Sequence, residues 1–107
     1  TLAETRLQAA VDATTETSLK GLVNTRLARV QIALEKYDAA LKTLSLVTAP
    51  AYEARVAEIK GDALVAQGKE NEARQAYQLA ADKGGLEGNT ILKMKLQDLA
   101  LSTNVAS

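Results

Sequence analysis

The 107-residue sequence contains no cysteine and no histidine, and its 13 basic residues are balanced by 13 acidic ones. Without thiols and imidazoles, the chain lacks the groups for a cysteine nucleophile, a zinc cluster, a haem ligand or a histidine-dependent triad. Because affinity for phosphate backbones rests on accumulated lysine and arginine, the formal charge of +0 argues against nucleic acid as a partner. We therefore expect a protein that is not an enzyme and that has no catalytic, cofactor-binding or metal-binding residues.

Aromatic residues and proline are also scarce, with three tyrosines, one proline, no phenylalanine and no tryptophan. The hydrophobic 47% of the chain is therefore mostly alanine, leucine, valine and isoleucine. Alanine and leucine head the helix propensity scale, and small alanine side chains let helices approach closely. The longest stretch without a charge, residues 43–52, is interrupted by Pro50 and is too short to span a bilayer. This composition predicts an all-α fold of packed helices.

Hydrophobic residues recur at helical spacing along the chain, and no segment alternates as a strand would. The connection between the first two helices is polar, and Thr14, Thr15, Thr17 and Ser18 offer hydroxyls for a helix N-cap. Pro50 suits the first turn of a helix, while Gly68 and the Gly84-Gly85 pair suit helix ends. We predict about six helices, over residues 2–13, 19–35, 37–47, 50–67, 70–83 and 89–101.

Several of these positions repeat after 33 residues: Ala28 corresponds to Gly61, Ala40 to Ala73, and Leu44 to Tyr77. Small residues fall where two helices must cross, and large ones fall where the second helix fills the gap. The second copy fits tetratricopeptide spacing at six positions, Gly61, Leu64, Gly68, Ala73, Tyr77 and Ala80. The first copy departs from it at Gln31 and Glu35. A generic helical bundle with accidental alanine spacing is the alternative to this tetratricopeptide-like α-solenoid of antiparallel helical hairpins.

The repeat divides the single domain of residues 1–107 into four parts. Residues 1–13 correspond to the second helix of a truncated repeat, residues 19–47 and 51–83 to two repeats, and residues 88–101 to a closing helix. A solenoid repeat cannot cover its own hydrophobic face, so a helix without its repeat partner needs cover from elsewhere. We therefore expect possible self-association through residues 1–13, on the side of Leu2, Leu7 and Val11.

The order of the segments resembles the YfgM family of ancillary SecYEG translocon subunits. The resemblance extends over nearly the whole chain and ends in a similar closing helix, although Thr90 stands where the family commonly has a proline. The segments that carry it are LARV (27–30), KYDAAL (36–41), VAEIKGD (56–62), GK (68–69), ARQAY (73–77) and GNTILKMKLQDL (88–99).

This resemblance implies the C-terminal part of a periplasmic tetratricopeptide-like domain, with a single membrane anchor upstream of residue 1. It implies a location at the periplasmic face of the bacterial inner membrane. The implied partners are proteins, namely the SecYEG translocon and a periplasmic chaperone such as PpiD. The domain would then be a non-catalytic interaction module that links the two. The alternatives are a generic tetratricopeptide scaffold without a Sec connection, and a holdase-like binder of unfolded segments.

Tetratricopeptide arrays bind extended peptides or helices along the first helices of their hairpins. In the 33-residue register, the positions that face such a groove come from both copies: Thr25, Arg29, Ile32, Arg55, Glu58, Asp62 and Val65. A guanidinium group can donate two parallel hydrogen bonds to a carboxylate, so Arg29 and Arg55 could bind an acidic partner. Pairing of these arginines with Glu58 or Asp62 inside the domain is the simpler alternative.

Overall fold

Six α-helices form the described part of the computed structural model, which comprises the backbone of residues 1–13 and 17–106 and the side chains of residues 1–12 and 19–99. These residues contain no strand, which confirms the all-α prediction. In chain order the helices are α1 (Leu2–Ala13), α2 (Thr17–Ala33), α3 (Tyr37–Ser45), α4 (Glu53–Ala66), α5 (Glu70–Ala80) and α6 (Thr90–Ala106).

Several helix ends differ from the predicted ones: α6 continues to Ala106 instead of residue 101, and proline and glycine change the backbone at two other ends. Pro50 begins a separate 3-10 turn, Pro50–Tyr52, and α4 starts only at Glu53. After α5 the chain widens into a π-type turn, Ala81–Gly85, in which Gly84 has a φ of 87°. Of the predicted polar connection, Thr14 and Thr15 lie outside the described residues, while the backbone of Thr17 and Ser18 already belongs to α2.

The turns inside the two hairpins have the same backbone geometry. Lys36 and Lys69, at equivalent positions, have φ and ψ of −94° and 66° and of −94° and 67°. Their N–H groups donate to Gln31 and Leu64 over 2.8 and 2.9 Å, which closes the preceding helix in the same way. The residue before each lysine is left-handed: Gly68 has a φ of 78° and Glu35 a φ of 62°. The first hairpin therefore keeps the turn although it lacks the glycine.

We expect Glu35→Gly to raise the free energy of unfolding by about 0.5–1 kcal/mol. A side chain in the left-handed region costs about 1–2 kcal/mol, and the larger entropy of glycine in the unfolded chain offsets part of that gain. The matched change Gly68→Ala should lower stability by about 1 kcal/mol through the backbone alone, since no atom lies within 4 Å of the added Cβ. Urea unfolding measures the free energy of unfolding of both variants. Changes of the same sign in the two variants would contradict the shared backbone geometry.

The core consists of two clusters, one on each side of α4. The smaller one joins α2 and α3 to α4 and contains Ala28, Ala40, Leu44 and Ile59. The larger one joins α4 and α5 to α6 and contains Ala57, Leu64, Ala73, Ala76, Tyr77, Ala80, Leu92 and Leu99. Burial of a leucine side chain such as Leu92 contributes about 1.5–3 kcal/mol. The last helix is thus held on the second hairpin by apolar contacts as well as by the polar ones described below.

The two helices of the second hairpin approach closely at Gly61. A Cβ atom at this position would lie 2.4 Å from Cε1 of Tyr77, and Ala73 on α5 is completely buried. Both small residues therefore lie at helix contacts, as the repeat spacing predicts.

The first helix packs on α2 and covers part of its own apolar surface. Val11 is buried, Leu7 is half-buried and only Leu2, 65% exposed, is open to solvent. An ion pair of 2.7 Å between Glu4 and Lys36 also ties α1 to the turn of the first hairpin. The expectation that all three apolar residues lie on an open face is therefore wrong for Val11, and self-association through residues 1–13 stays a prediction that rests on Leu2.

Candidate functional site

A cleft of about 430 Å³ lies between α2, α4 and the start of α6, and we call it the groove. Arg29 enters it from α2 and Arg55 and Glu58 from α4, while Asn89 and Lys95 enter from the other side. The remaining lining residues are mostly small, which leaves the charged groups accessible: Ala51, Ala54, Gly84, Gly85, Glu87 and Ile91. The groove is therefore polar, with small residues between its charges.

The seven residues predicted for a groove separate into four sets. Arg29, Arg55 and Glu58 line it, and Asp62 lies beside it. Val65 is 42% exposed on α4 but does not line the cleft.

Thr25 and Ile32 were expected in the groove, but neither lines it, since Thr25 is buried and Ile32 is half-buried. Thr25 is 2% exposed, and its hydroxyl donates to the carbonyl oxygen of Leu22 over 2.8 Å. Ile32 packs against the smaller core cluster. This correction has a simple cause: α2 contacts α1, α3 and α4, so less of its surface remains open than the repeat register of one hairpin implies.

Lys95 forms ion pairs with two carboxylates of α4. Its ammonium lies 2.7 Å from Oε2 of Glu58 and 2.9 Å from Oδ1 of Asp62. The phenol of Tyr77 donates to the same Oδ1 atom over 2.6 Å, and the ammonium lies 5.7 Å from the centre of the tyrosine ring. We call these four residues the Lys95 clasp. It joins α6 to the hairpin of α4 and α5 through charge.

Asn89 supports the clasp from the start of α6. Its side-chain oxygen accepts from the N–H of Leu92 over 3.0 Å, which caps the helix. Its Nδ2 atom donates to Oε1 of Glu58 over 2.8 Å. The cap therefore forms with Thr90 in the place of the family's proline, and Glu58 accepts a hydrogen bond on each of its oxygens.

Burial and hydrogen bonding act in opposite directions on the charged groups of the clasp. Burial raises the pKa of Glu58, but the hydrogen bonds from Lys95 and Asn89 outweigh it, so the pKa lies below its usual value. Burial lowers the pKa of Lys95, yet the bonds to Glu58 and Asp62 leave it above its usual value. Burial and the carboxylate of Asp62 both raise the pKa of Tyr77. All three side chains thus keep their ordinary charge at neutral pH.

The prediction missed Lys95 and Asn89 as groove residues. A signal for Lys95 was present, because the 33-residue step that leads from Arg29 to Asp62 leads next to Lys95. The closing helix therefore occupies the place of the first helix of a further repeat. Asn89 could be identified as a helix cap from its position, but its bond to Glu58 depends on the packing of α6 against α4.

Neither Arg29 nor Arg55 forms an ion pair with any residue that the structure describes. The alternative, pairing with Glu58 or Asp62, is not formed at ion-pair distance, because Lys95 binds both carboxylates. The charge of Arg29 still contributes to the lowered pKa of Glu58. Arg55 lies over the ring of Tyr52 at 5.6 Å. The two guanidiniums thus remain available to an external group.

The described side chains contain no group of three or more His, Cys, Asp or Glu residues placed to hold a metal ion. Within the described residues, no helix combines the length and the apolar character that crossing a bilayer requires.

The chain matches the family described as tetratricopeptide repeat-like domain over residues 1–101. It is 34% identical over 100 residues to the ancillary SecYEG translocon subunit of Escherichia coli (strain K12), which covers 92% of this chain and 48% of that protein. The protein of the same name from Haemophilus influenzae is 34% identical over 97 residues, with 91% and 48% covered. No solved structure matches the chain.

The chain spans about half the length of the curated relatives that it matches, 48% in each case. Their shared name agrees with the resemblance found in the segments of the two repeats and the closing helix. The family match and these relatives together show that the chain belongs to the YfgM family, as a tetratricopeptide repeat-like domain.

Proposed function

We propose that this domain is a non-catalytic protein-binding module of an ancillary SecYEG translocon subunit, and that partners dock in the groove between α2, α4 and α6. The relatives named as translocon subunits support the assignment to the Sec system. The observation that carries the docking site is the meeting of side chains from three helices in one cleft. Arrays of this kind bind a peptide or a helix along their first helices.

Two finer parts of the proposal concern the setting. The domain lies at the periplasmic face of the inner membrane, held there by an anchor in the intact protein. It connects the translocon to a periplasmic chaperone such as PpiD and so affects the handling of emerging polypeptides. Both parts rest on the resemblance to the family.

Site-specific photo-cross-linking in the intact protein tests the docking site. A photoreactive residue at position 91 probes the groove, because Ile91 lines it and is 64% exposed. The matched control is position 46, where Leu46 is 62% exposed and lies outside the groove. We expect cross-links to a SecYEG subunit or its chaperone from position 91, at a yield at least about fivefold above that from position 46.

Other patterns of cross-linking would assign other functions. Equal yields from positions 91 and 46 would contradict docking in the groove. A single partner outside the Sec system would favour a generic scaffold, and a broad set of unfolded polypeptides would favour a holdase.

A further inference from the structure

A second, smaller cleft of about 320 Å³ adjoins the groove, and its charged side chains are all arginines. Arg26, Arg29 and Arg55 line it together with Leu22 and Thr25. Arg29 and Arg55 also line the groove, so the two clefts form a continuous surface. We call the three residues the arginine cluster.

The three guanidiniums have no acidic partner among the described residues, where no carboxylate oxygen lies within 4.0 Å of any of them. Glu58 is close enough for the charge of Arg29 to contribute to its lowered pKa. Both of its oxygens nevertheless accept hydrogen bonds from Lys95 and Asn89. Glu58 and Asp62 are therefore already paired with the ammonium of Lys95, and within the described residues no carboxylate forms an ion pair with the three arginines that line the second cleft.

The ring of Tyr52 helps to hold the side chain of Arg55 in position. Its guanidinium lies 5.6 Å from the centre of the Tyr52 ring, a cation–π contact. That ring lies against Gly21 in the interior of α2, where a Cβ atom would be 2.8 Å from Cδ2 of the tyrosine. Glycine is unfavourable inside a helix, and here it makes room for the ring that orients Arg55. The cluster is thus partly preorganised, which lowers the entropic cost of binding.

We propose that the arginine cluster binds an acidic segment of a protein partner, an inference that rests on the proposed function. Each guanidinium can donate two parallel N–H hydrogen bonds to the two oxygens of one carboxylate. Separate carboxylates along one peptide can therefore satisfy the three arginines, while the chain continues into the groove beside Ile91. The recess between α2 and α4 suits a single peptide segment better than a flat lipid surface.

Fluorescence anisotropy with the 107-residue chain tests this inference. The probe is a short labelled peptide of glutamate and alanine, and its counterpart has glutamine in place of every glutamate. We expect the acidic peptide to bind at least about tenfold more tightly at low salt and to lose affinity as the salt concentration rises. Equal binding of the two peptides would overturn the proposal.

Two triple variants locate the site. Arg26→Gln/Arg29→Gln/Arg55→Gln should weaken binding of the acidic peptide at least about tenfold. The control Lys42→Gln/Lys69→Gln/Lys93→Gln removes the same charge from exposed lysines outside both clefts and should change the affinity by less than about twofold. Equal losses in both variants would mean that only net charge matters, and the proposed site would be wrong.

Variants of Tyr52 separate orientation from charge. Tyr52→Phe keeps a ring beneath Arg55 and should retain binding, whereas Tyr52→Leu should weaken it by about threefold with all three arginines present. Equal affinities of these two variants would remove the orienting role. Vesicles of phosphatidylglycerol serve as the competing ligand. If the chain binds these vesicles only when the three arginines are present, and does not prefer the acidic peptide to its glutamine counterpart, the cluster binds a membrane instead.

The peptide and cross-linking experiments can fail independently. Cross-links from position 91 without binding of the acidic peptide would leave the proposed function in place and overturn the arginine site. Binding of the acidic peptide without cross-links to translocon components would support the arginine site and contradict the proposed function.

Discussion

Gly61→Val is expected to lower the free energy of unfolding by about 3 kcal/mol, at the upper end of the usual cost of overpacking. The new Cβ would lie 2.4 to 2.9 Å from three ring atoms of Tyr77. The ring cannot easily move, because it is 2% exposed and its hydroxyl is bonded to Asp62. Replacing a glycine inside a helix raises helix stability by only a few tenths of a kcal/mol, which is less than the cost of the clash. Urea unfolding followed by far-ultraviolet circular dichroism measures the loss.

A second substitution shows whether the clash is the cause. Tyr77→Leu removes the ring atoms that oppose the new side chain, so the double variant should be more stable than the sum of the two single losses predicts, by at least about 1 kcal/mol. Additive losses, or a change of less than about 0.5 kcal/mol in Gly61→Val alone, would contradict the close approach of α4 and α5.

Lys95→Met is expected to destabilise the domain by about 2 kcal/mol at neutral pH. Removing one partner of a fully buried ion pair costs about 3–5 kcal/mol, and partial exposure reduces that figure. The three charged side chains of the clasp, those of Lys95, Glu58 and Asp62, are 14% to 33% exposed. Methionine preserves most of the apolar stem, so the loss reports mainly on the two carboxylates left without a cation. Lys93→Met on the same helix is the control, because Lys93 is exposed and should change stability by less than about 0.5 kcal/mol.

The effect of Lys95→Met should also depend on pH, because both partners have shifted pKa values. The pKa of Glu58 is lowered in the folded state, so its stabilising contribution is lost as the pH falls through that value. The pKa of Lys95 is raised, so its contribution is lost as the pH rises through that value. The difference between wild type and Lys95→Met should therefore be largest between about pH 5 and pH 10 and should shrink on either side. A difference that is as large below about pH 5 and above about pH 10 as at neutral pH would contradict the clasp.

Helix content and the repeat could be predicted from sequence because both depend on neighbours along the chain. Alanine-rich periodicity, Gly68 and the 33-residue step suffice for helices and for the turn of the second hairpin. The left-handed conformation of Glu35 could not be predicted from its residue type, since glutamate disfavours it. The packing of α2 against α3 and the paired bonds of the turn impose it. Two helix ends also differ from their predicted positions, because a 3-10 turn at the proline and a π turn at the glycines replace regular helix there.

By itself, the sequence determined the all-α class, the resemblance to the YfgM family and the arginines and carboxylates available for binding. The tertiary structure decided which of these charges are free. Lys95 is 37 residues from Glu58 and 33 from Asp62, and only the packing of α6 on α4 brings the three together. Periodicity gives the spacing of residues on a helix face but not the rotation of the helix against its three neighbours. The burial of Thr25 and the packing of Ile32 against the smaller core cluster could therefore not be predicted. The same packing that binds Glu58 and Asp62 to Lys95 leaves Arg29 and Arg55 open to a partner.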